Sequence, residues 1–133
     1  MPHVVIEYSA NLEAEIAPGR LVEAVHGSVL AQPEFEAGAV RTRAVRCEHF
    51  RVADGDPENA FVAVTIRIGP GRDAATRKRI SGAVMEALAA AIGPVFDRRG
   101  MGLSVEVTEL DDGGMSRRNN LHARMRAKAD PAA

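Results

Sequence analysis

Apolar residues alternate with other residues at the start of the chain and recur at helical spacing soon after. Val4, Ile6 and Tyr8 fall two apart, so a strand over residues 2–8 puts them on one side together with Pro2. Ser9-Ala10-Asn11 ends that strand. Pro18 suits the first turn of a helix, where a missing N–H is no loss. Leu21, Val22, Val25 and Val29 then predict a helix that begins between residues 12 and 18 and runs to about Ala31. Pro33 and Gly38 mark a return loop. A second strand is expected over about 40–52, and Asp54-Gly55-Asp56-Pro57-Glu58-Asn59 reads as a hairpin tip leading into a third strand at 60–68. That third strand is almost continuously apolar, which predicts burial on both faces. Asp73 is a good N-cap. Behind it Ile80, Ala83, Val84, Ala87, Leu88, Ala91, Ile92 and Val95 form the strongest periodic stripe in the chain, with Gly93-Pro94 breaking the helix near its end. A fourth strand over 103–110 alternates Leu103, Val105 and Val107 with Ser104, Glu106 and Thr108, so one face should be covered and the other more polar.

The order strand, helix, strand, strand, helix, strand predicts an α+β fold: two βαβ units, at residues 2–52 and 60–110, sharing a four-stranded sheet with both helices on one face. The opposite face is then bare. Val4, Ile6, Val62 and Val64 are candidates to line it, and an exposed apolar sheet face is best explained by a partner. Ile16-Ala17-Pro18-Gly19-Arg20 is echoed by Ile68-Gly69-Pro70-Gly71-Arg72 before the second helix.

The length of 133 residues fits one domain, and an apolar content of 46% argues against disorder. With five aromatics and no Trp the core must be aliphatic. A net charge of −1 gives no global pull towards nucleic acid or membrane, and no apolar run is long enough to span a bilayer. No leader segment is expected, and the lone Cys47 cannot form an internal disulfide, so a reducing, cytoplasmic setting is expected. The cations are lopsided, fifteen Arg against two Lys. Arg41, Arg43, Arg46 and Arg51 all fall on the second strand; Arg41 and Arg43 share one face and Arg46 takes the other. No aromatic interleaves with these arginines, which argues against nucleic acid. The plainer account for Arg43, Arg46 and Arg51 is a solvated edge strand whose charges block aggregation.

Proline directly follows the initiator methionine. Trimming of Met1 would leave Pro2 with a free secondary amine at the head of a rigid strand. Such an amine is protonated at neutral pH unless burial or nearby cations lower its pKa, and a base tuned towards working pH is what proton transfer needs. Other chemistry is thinner. His3, His26, His49 and His122 lack metal-ligand spacing, and Cys47 with His49 supplies only two ligands, so no metal is expected. His26 lies beside the first helical stripe and reads as a packed residue. Ser9, Ser28 and Ser104 have no nucleophile-elbow context, and Gly69 to Gly71 is too short to cradle phosphate. Glu7 is an ion-pair candidate. Arg117, Arg118, Arg124, Arg126 and Lys128 make a basic C-terminal stretch that reads as a solvated tail.

The opening Pro2-His3-Val4-Val5-Ile6-Glu7-Tyr8-Ser9-Ala10-Asn11-Leu12-Glu13 resembles the start of the 5-carboxymethyl-2-hydroxymuconate isomerases of the tautomerase superfamily. Ala39 to Arg43, Ala53-Asp54-Gly55, Ala60 to Val62, Ile68 to Arg72 and Asn119 to Ala123 are similar in the same order and spacing. The resemblance implies a tautomerase/MIF-like trimer, a domain over 1–122 and a C-terminal tail at 123–133. It implies an isomerase that moves a proton with Pro2 and binds a dicarboxylate or tricarboxylate through Arg41 and Arg72, with no metal or organic cofactor, in homoprotocatechuate breakdown. A tautomerase for a different 2-hydroxydienoate, or a non-catalytic trimeric module of the same fold, would carry the same pattern. The second half, from Phe61 to Ile92, also resembles the short tautomerases, but it has no free terminus, so only the first unit can supply the amine.

Overall fold

The computed structural model describes residues 2–130. Four strands, β1 (His3–Ser9), β2 (Arg41–Cys47), β3 (Ala60–Ile68) and β4 (Met101–Glu109), form one sheet in the order β2-β1-β3-β4. Each βαβ unit contributes a parallel pair, β1 with β2 and β3 with β4, and the units join through the antiparallel pair β1–β3 at the centre. The helices α1 (Pro18–Leu30) and α2 (Ala74–Ile92) lie against the sheet and against each other. Pro18 stands in the first turn of α1, and Asp73 caps α2 by accepting the Thr76 N–H at 2.8 Å. Gly93, at φ 59°, stops α2 in a conformation that a side chain would resist, and the single turn α3 (Val95–Arg98) follows. A last helix, α4 (Leu121–Ala129), packs on the short 3-10 turn Ala37–Ala39.

Period-two alternation decides the core. Val4 and Ile6 on β1, and Val62, Val64 and Ile66 on β3, are buried beneath Leu21, Val25 and Val29 of α1 and Ile80, Val84 and Leu88 of α2. Truncating one of these to Ala should cost about 2–5 kcal/mol. Leu103, Val105 and Val107 of β4 pack on the same core, as their alternation predicts.

Several expectations are corrected. Val4, Ile6, Val62 and Val64 lie under the helices, not on the bare face. Register gives the bare face to His3, Val5 and Glu7 on β1, with Arg41, Arg43 and Val45, then Ala63, Thr65 and Arg67, then Ser104, Glu106 and Thr108 on the neighbouring strands. That face is mixed in polarity. β3 is accordingly buried on one face, with intermediate residues and the exposed Arg67 on the other. The second strand is shorter than 40–52, and no hairpin joins it to β3. β2 pairs only with β1, so the connection over 48–59 must pass β1 to reach its free edge. Turn chemistry reports a reversal but not which strand lies alongside. The basic C-terminal stretch is no simple tail, since most of it forms α4.

Candidate active site

Parallel pairing sets the starts of β1 and β2 side by side. The Arg41 N–H donates to the Pro2 carbonyl at 3.1 Å, and His3 stands in register with Arg41. Antiparallel pairing brings the end of β3 to the same corner, with Arg67 opposite His3 on its other side. Arg41 and Arg67 thus flank His3 in the sheet, and Arg43, two residues along β2, lies on the same face. His3 registers their field: its imidazole is held below its ordinary 6.5 by burial first, then by Arg43, Arg41 and Arg67. Pro2 is buried at this corner. The expected trimming of Met1 concerns a residue outside the described ones.

Arg41 is partly buried, and its Nη1 donates to the Ala39 carbonyl at 2.9 Å. Arg72 is exposed in the segment leading into α2, and its Nη2 reaches the Glu34 carbonyl at 3.4 Å. Neutral carbonyls leave their charge intact, and among the described residues neither arginine forms a salt bridge. A cation just before a helix start meets the positive end of the helix dipole, so both it and the helix favour an anion there.

Glu34 and Ala39, whose carbonyls accept from Arg72 and Arg41, both line one cavity. Its volume is about 270 Å³, and residues 34–36, Ala39, Arg117, Asn119 and His122 line it. Arg41 and Arg72 thus donate to backbone carbonyls of residues that line this cavity, and Pro2 pairs with the backbone of Arg41, but none of the three is itself among the lining residues. The Glu34 carboxylate is held below its ordinary range chiefly by its hydrogen bond from Arg79. His122 Nδ1 is buried 2.8 Å from Glu36 Oε2, without the alignment of a hydrogen bond.

The C-terminal wall depends on a glycine. A Cβ on Gly38 would come within 2.8 Å of the His122 backbone nitrogen, so only glycine lets α4 approach the 37–39 turn this closely. Asn119 Nδ2 fixes the same contact by donating to the Gly38 carbonyl at 3.3 Å. This wall is what sequence reasoning missed. Asn119 to Ala123 carries the family resemblance, but its role is not readable, and Gly38 reads only as a loop marker.

Other features lack this convergence. A larger groove of about 580 Å³, bounded by Met85, Ala89, Phe96, Met101 and Leu103, has no ionisable side chain with which to move a proton. His26 shares a 2.7 Å contact with Thr42 Oγ1 and is partly packed, as expected. Arg46 is tied to Glu13 and Glu48 at the sheet edge. Among the described residues no group of three or more His, Cys, Asp or Glu is placed to hold a metal, and no helix is long and apolar enough to cross a membrane.

A sequence-family model described as 5-carboxymethyl-2-hydroxymuconate isomerase matches residues 2–125. A 5-carboxymethyl-2-hydroxymuconate Delta-isomerase of Escherichia coli is 28% identical over 123 residues, covering 92% of this chain and 98% of its own. The crystal structure of a 5-carboxymethyl-2-hydroxymuconate isomerase from Deinococcus radiodurans R1 is 35% identical and superposes with a TM-score of 0.85 over 94% of each chain. A fused 4-OT, described as a symmetric trimer, shares the fold at 16% identity and a TM-score of 0.67, covering 94% of this chain and 98% of its own.

Proposed function

The chain belongs to the 5-carboxymethyl-2-hydroxymuconate isomerase family, and from that premise we propose that Pro2 shuttles one proton on 5-carboxymethyl-2-hydroxymuconate or a related 2-hydroxydienoate. Once Met1 is removed, the Pro2 nitrogen takes the proton of the 2-hydroxyl. The electron pair left on oxygen forms the 2-oxo group, and the shift runs along the conjugated diene to C5. The prolinium returns its proton at C5, giving the oxo-enoate isomer and restoring the free amine. One base acting twice needs no metal and no organic cofactor.

The observation that carries this reading is the 3.1 Å ladder bond that holds Pro2 against Arg41. That bond joins backbone groups, and it seats Pro2 next to the strand start that carries Arg41; a guanidinium near the proline nitrogen would disfavour a second positive charge there and favour the unprotonated base. The same cations suit the other half of the task. Arg41 and Arg72 would hold carboxylates of the substrate and steady the negative charge that builds on the oxo-enolate. Anchoring and base tuning therefore come from one set of groups. The reaction fits a step in homoprotocatechuate breakdown.

An ultraviolet assay with 5-carboxymethyl-2-hydroxymuconate tests the proposal. Positioned acid–base groups contribute roughly 10²–10⁴-fold, so Pro2→Ala, which replaces the ring amine by a more mobile primary one, should lower kcat by about a hundredfold. Unchanged kcat removes the shuttle. Intact-protein mass should show a chain lacking Met1; an active preparation that retains it throughout would have the same effect. The bare sheet face fits self-association, and a trimer like that described for the fused 4-OT is the assembly proposed, to be checked by sedimentation equilibrium.

A further inference from the structure

We propose that Arg117, steadied by Asn119, forms a third carboxylate subsite at the C-terminal wall of the cavity, so that the enzyme selects substrates with three carboxylates over those with two. The inference rests on the reaction proposed for Pro2, because 5-carboxymethyl-2-hydroxymuconate carries one carboxylate more than Arg41 and Arg72 can anchor. The reading of the C-terminal stretch as a solvated tail gives Arg117 no role.

Position comes first. The carbonyls that receive Arg41 and Arg72 belong to Ala39 and Glu34, and both residues line the cavity that Arg117 also lines. The C-terminal wall is not loosely placed. Asn119 donates to the Gly38 carbonyl, and α4 begins in backbone contact with Gly38, where no side chain could intervene. The wall is therefore fixed to the same 34–39 segment whose carbonyls receive the two arginines.

Charge comes second. The cavity holds two carboxylates, and each already faces a cation. Arg79 grips Glu34 through both of its oxygens, and Glu36 lies 2.8 Å from His122 and 3.6 Å from Arg126. Arg117 has a weaker tie. Its partner Asp112 is an exposed side chain, and the pair is open to solvent, with 43% and 54% of the two side chains accessible. Surface pairs of this kind contribute little and exchange readily, so a substrate carboxylate held by two other arginines can displace Asp112. A planar guanidinium also matches a carboxylate with two parallel N–H donors, which a lysine would not.

Two substrates and two unreactive analogues test this. The ultraviolet assay compares 5-carboxymethyl-2-hydroxymuconate with 2-hydroxymuconate, which lacks the third carboxylate. Calorimetry compares their saturated counterparts, 5-carboxymethyl-2-hydroxyadipate and 2-hydroxyadipate. Arg117→Gln should raise KM for the tricarboxylate about tenfold, the scale of one lost charge-assisted hydrogen bond, and weaken its saturated analogue equally. The dicarboxylates should be almost unaffected, and the melting temperature unchanged. Asp112→Asn should tighten binding of the tricarboxylate analogue a few-fold by removing its competitor. Equal effects on both classes, no effect on either, or a wild type that binds the two analogues alike would overturn the subsite. Should the wild type turn over neither hydroxymuconate, the reaction assigned to Pro2 falls, and the binding ratios alone decide the subsite.

Discussion

The two βαβ units share one architecture and end differently. In each, a backbone bond closes the start of the parallel ladder: Arg41 N–H to the Pro2 carbonyl in the first, Ala60 N–H to the Gly100 carbonyl in the second. Because β1 and β3 run antiparallel, these starts lie at opposite ends of the sheet. At the first end, Arg41 and Arg72 donate only to backbone carbonyls beside a cavity. At the second, Arg99 is almost wholly buried, its side chain 6% exposed; it ties Glu58 and Asn11 carbonyls together and lies near Glu15. Asn11 adds bonds to the Pro57 and Asn59 carbonyls, and the Ser9 hydroxyl receives the Phe61 N–H. One end keeps its cations available and the other uses its cation to pin the 48–59 connection. A repeated fold can thus divide chemistry and structure between equivalent positions by whether an arginine is left free or fully occupied.

The largest effects should come from emptying the first end. Arg41→Ala and Arg72→Ala should each lower kcat/KM for 5-carboxymethyl-2-hydroxymuconate by about 10- to 100-fold, the range of a charge-assisted contact. Arg72→Ala should leave the melting temperature nearly unchanged, because the exposed Arg72 gives up only a 3.4 Å bond. The second end should respond the other way. Arg99→Ala leaves two carbonyls without their buried donor and should cost about 2 kcal/mol of stability, lowering the thermal midpoint by about 5 °C. Its kcat/KM at low temperature should stay within a factor of about two, since Arg99 serves the opposite end of the sheet. Equal loss of activity in Arg99→Ala and Arg41→Ala would dissolve the division.

The chain announces much of this, and what it withholds has a common cause. The α2 stripe, the Asp73 cap and the Pro18 start are local signals, and local geometry obeys them. Which side of β1 receives β2 and which receives β3 depends on pairing between distant segments. A two-residue period also states that one face is buried without stating which, so Val4 and Val62 read equally well as inner or outer until the helices are placed. Pro2, Arg41 and Arg72 are candidates through the family pattern, whereas Arg117, Asn119 and His122 join the 34–39 segment through contacts at Gly38 and Glu36. No spacing along the chain encodes that approach.

The smallest expected effect probes the field itself. His3 sits among Arg41, Arg43 and Arg67, and its pKa lies below the ordinary 6.5. A histidine with a depressed folded pKa binds fewer protons folded than unfolded, so stability must decline as pH falls through about 6.5 and level off only below the folded pKa. His3→Gln should flatten that decline in urea melts taken between about pH 7 and 5. The carboxylates of Glu34 and Asp73, both held below their ordinary values of 4.5 and 3.8, lose their contribution at lower pH, as it falls from those values through the folded ones, so the two windows separate. NMR titration gives the sharper reading. Among the arginines Arg43 contributes most and Arg67 least of the three, so Arg43→Ala should return the His3 pKa further towards 6.5 than Arg67→Ala does. On the reading proposed for Pro2, its nitrogen is the base at the head of the same strand, one residue from His3. Removing Arg43 should therefore also raise its pKa and move the acid limb of the kcat/KM profile to higher pH. A His3 resonance that shifts while the acid limb stays fixed would mean that the arginines shape the bare face alone, and that the base at the head of β1 is tuned by burial.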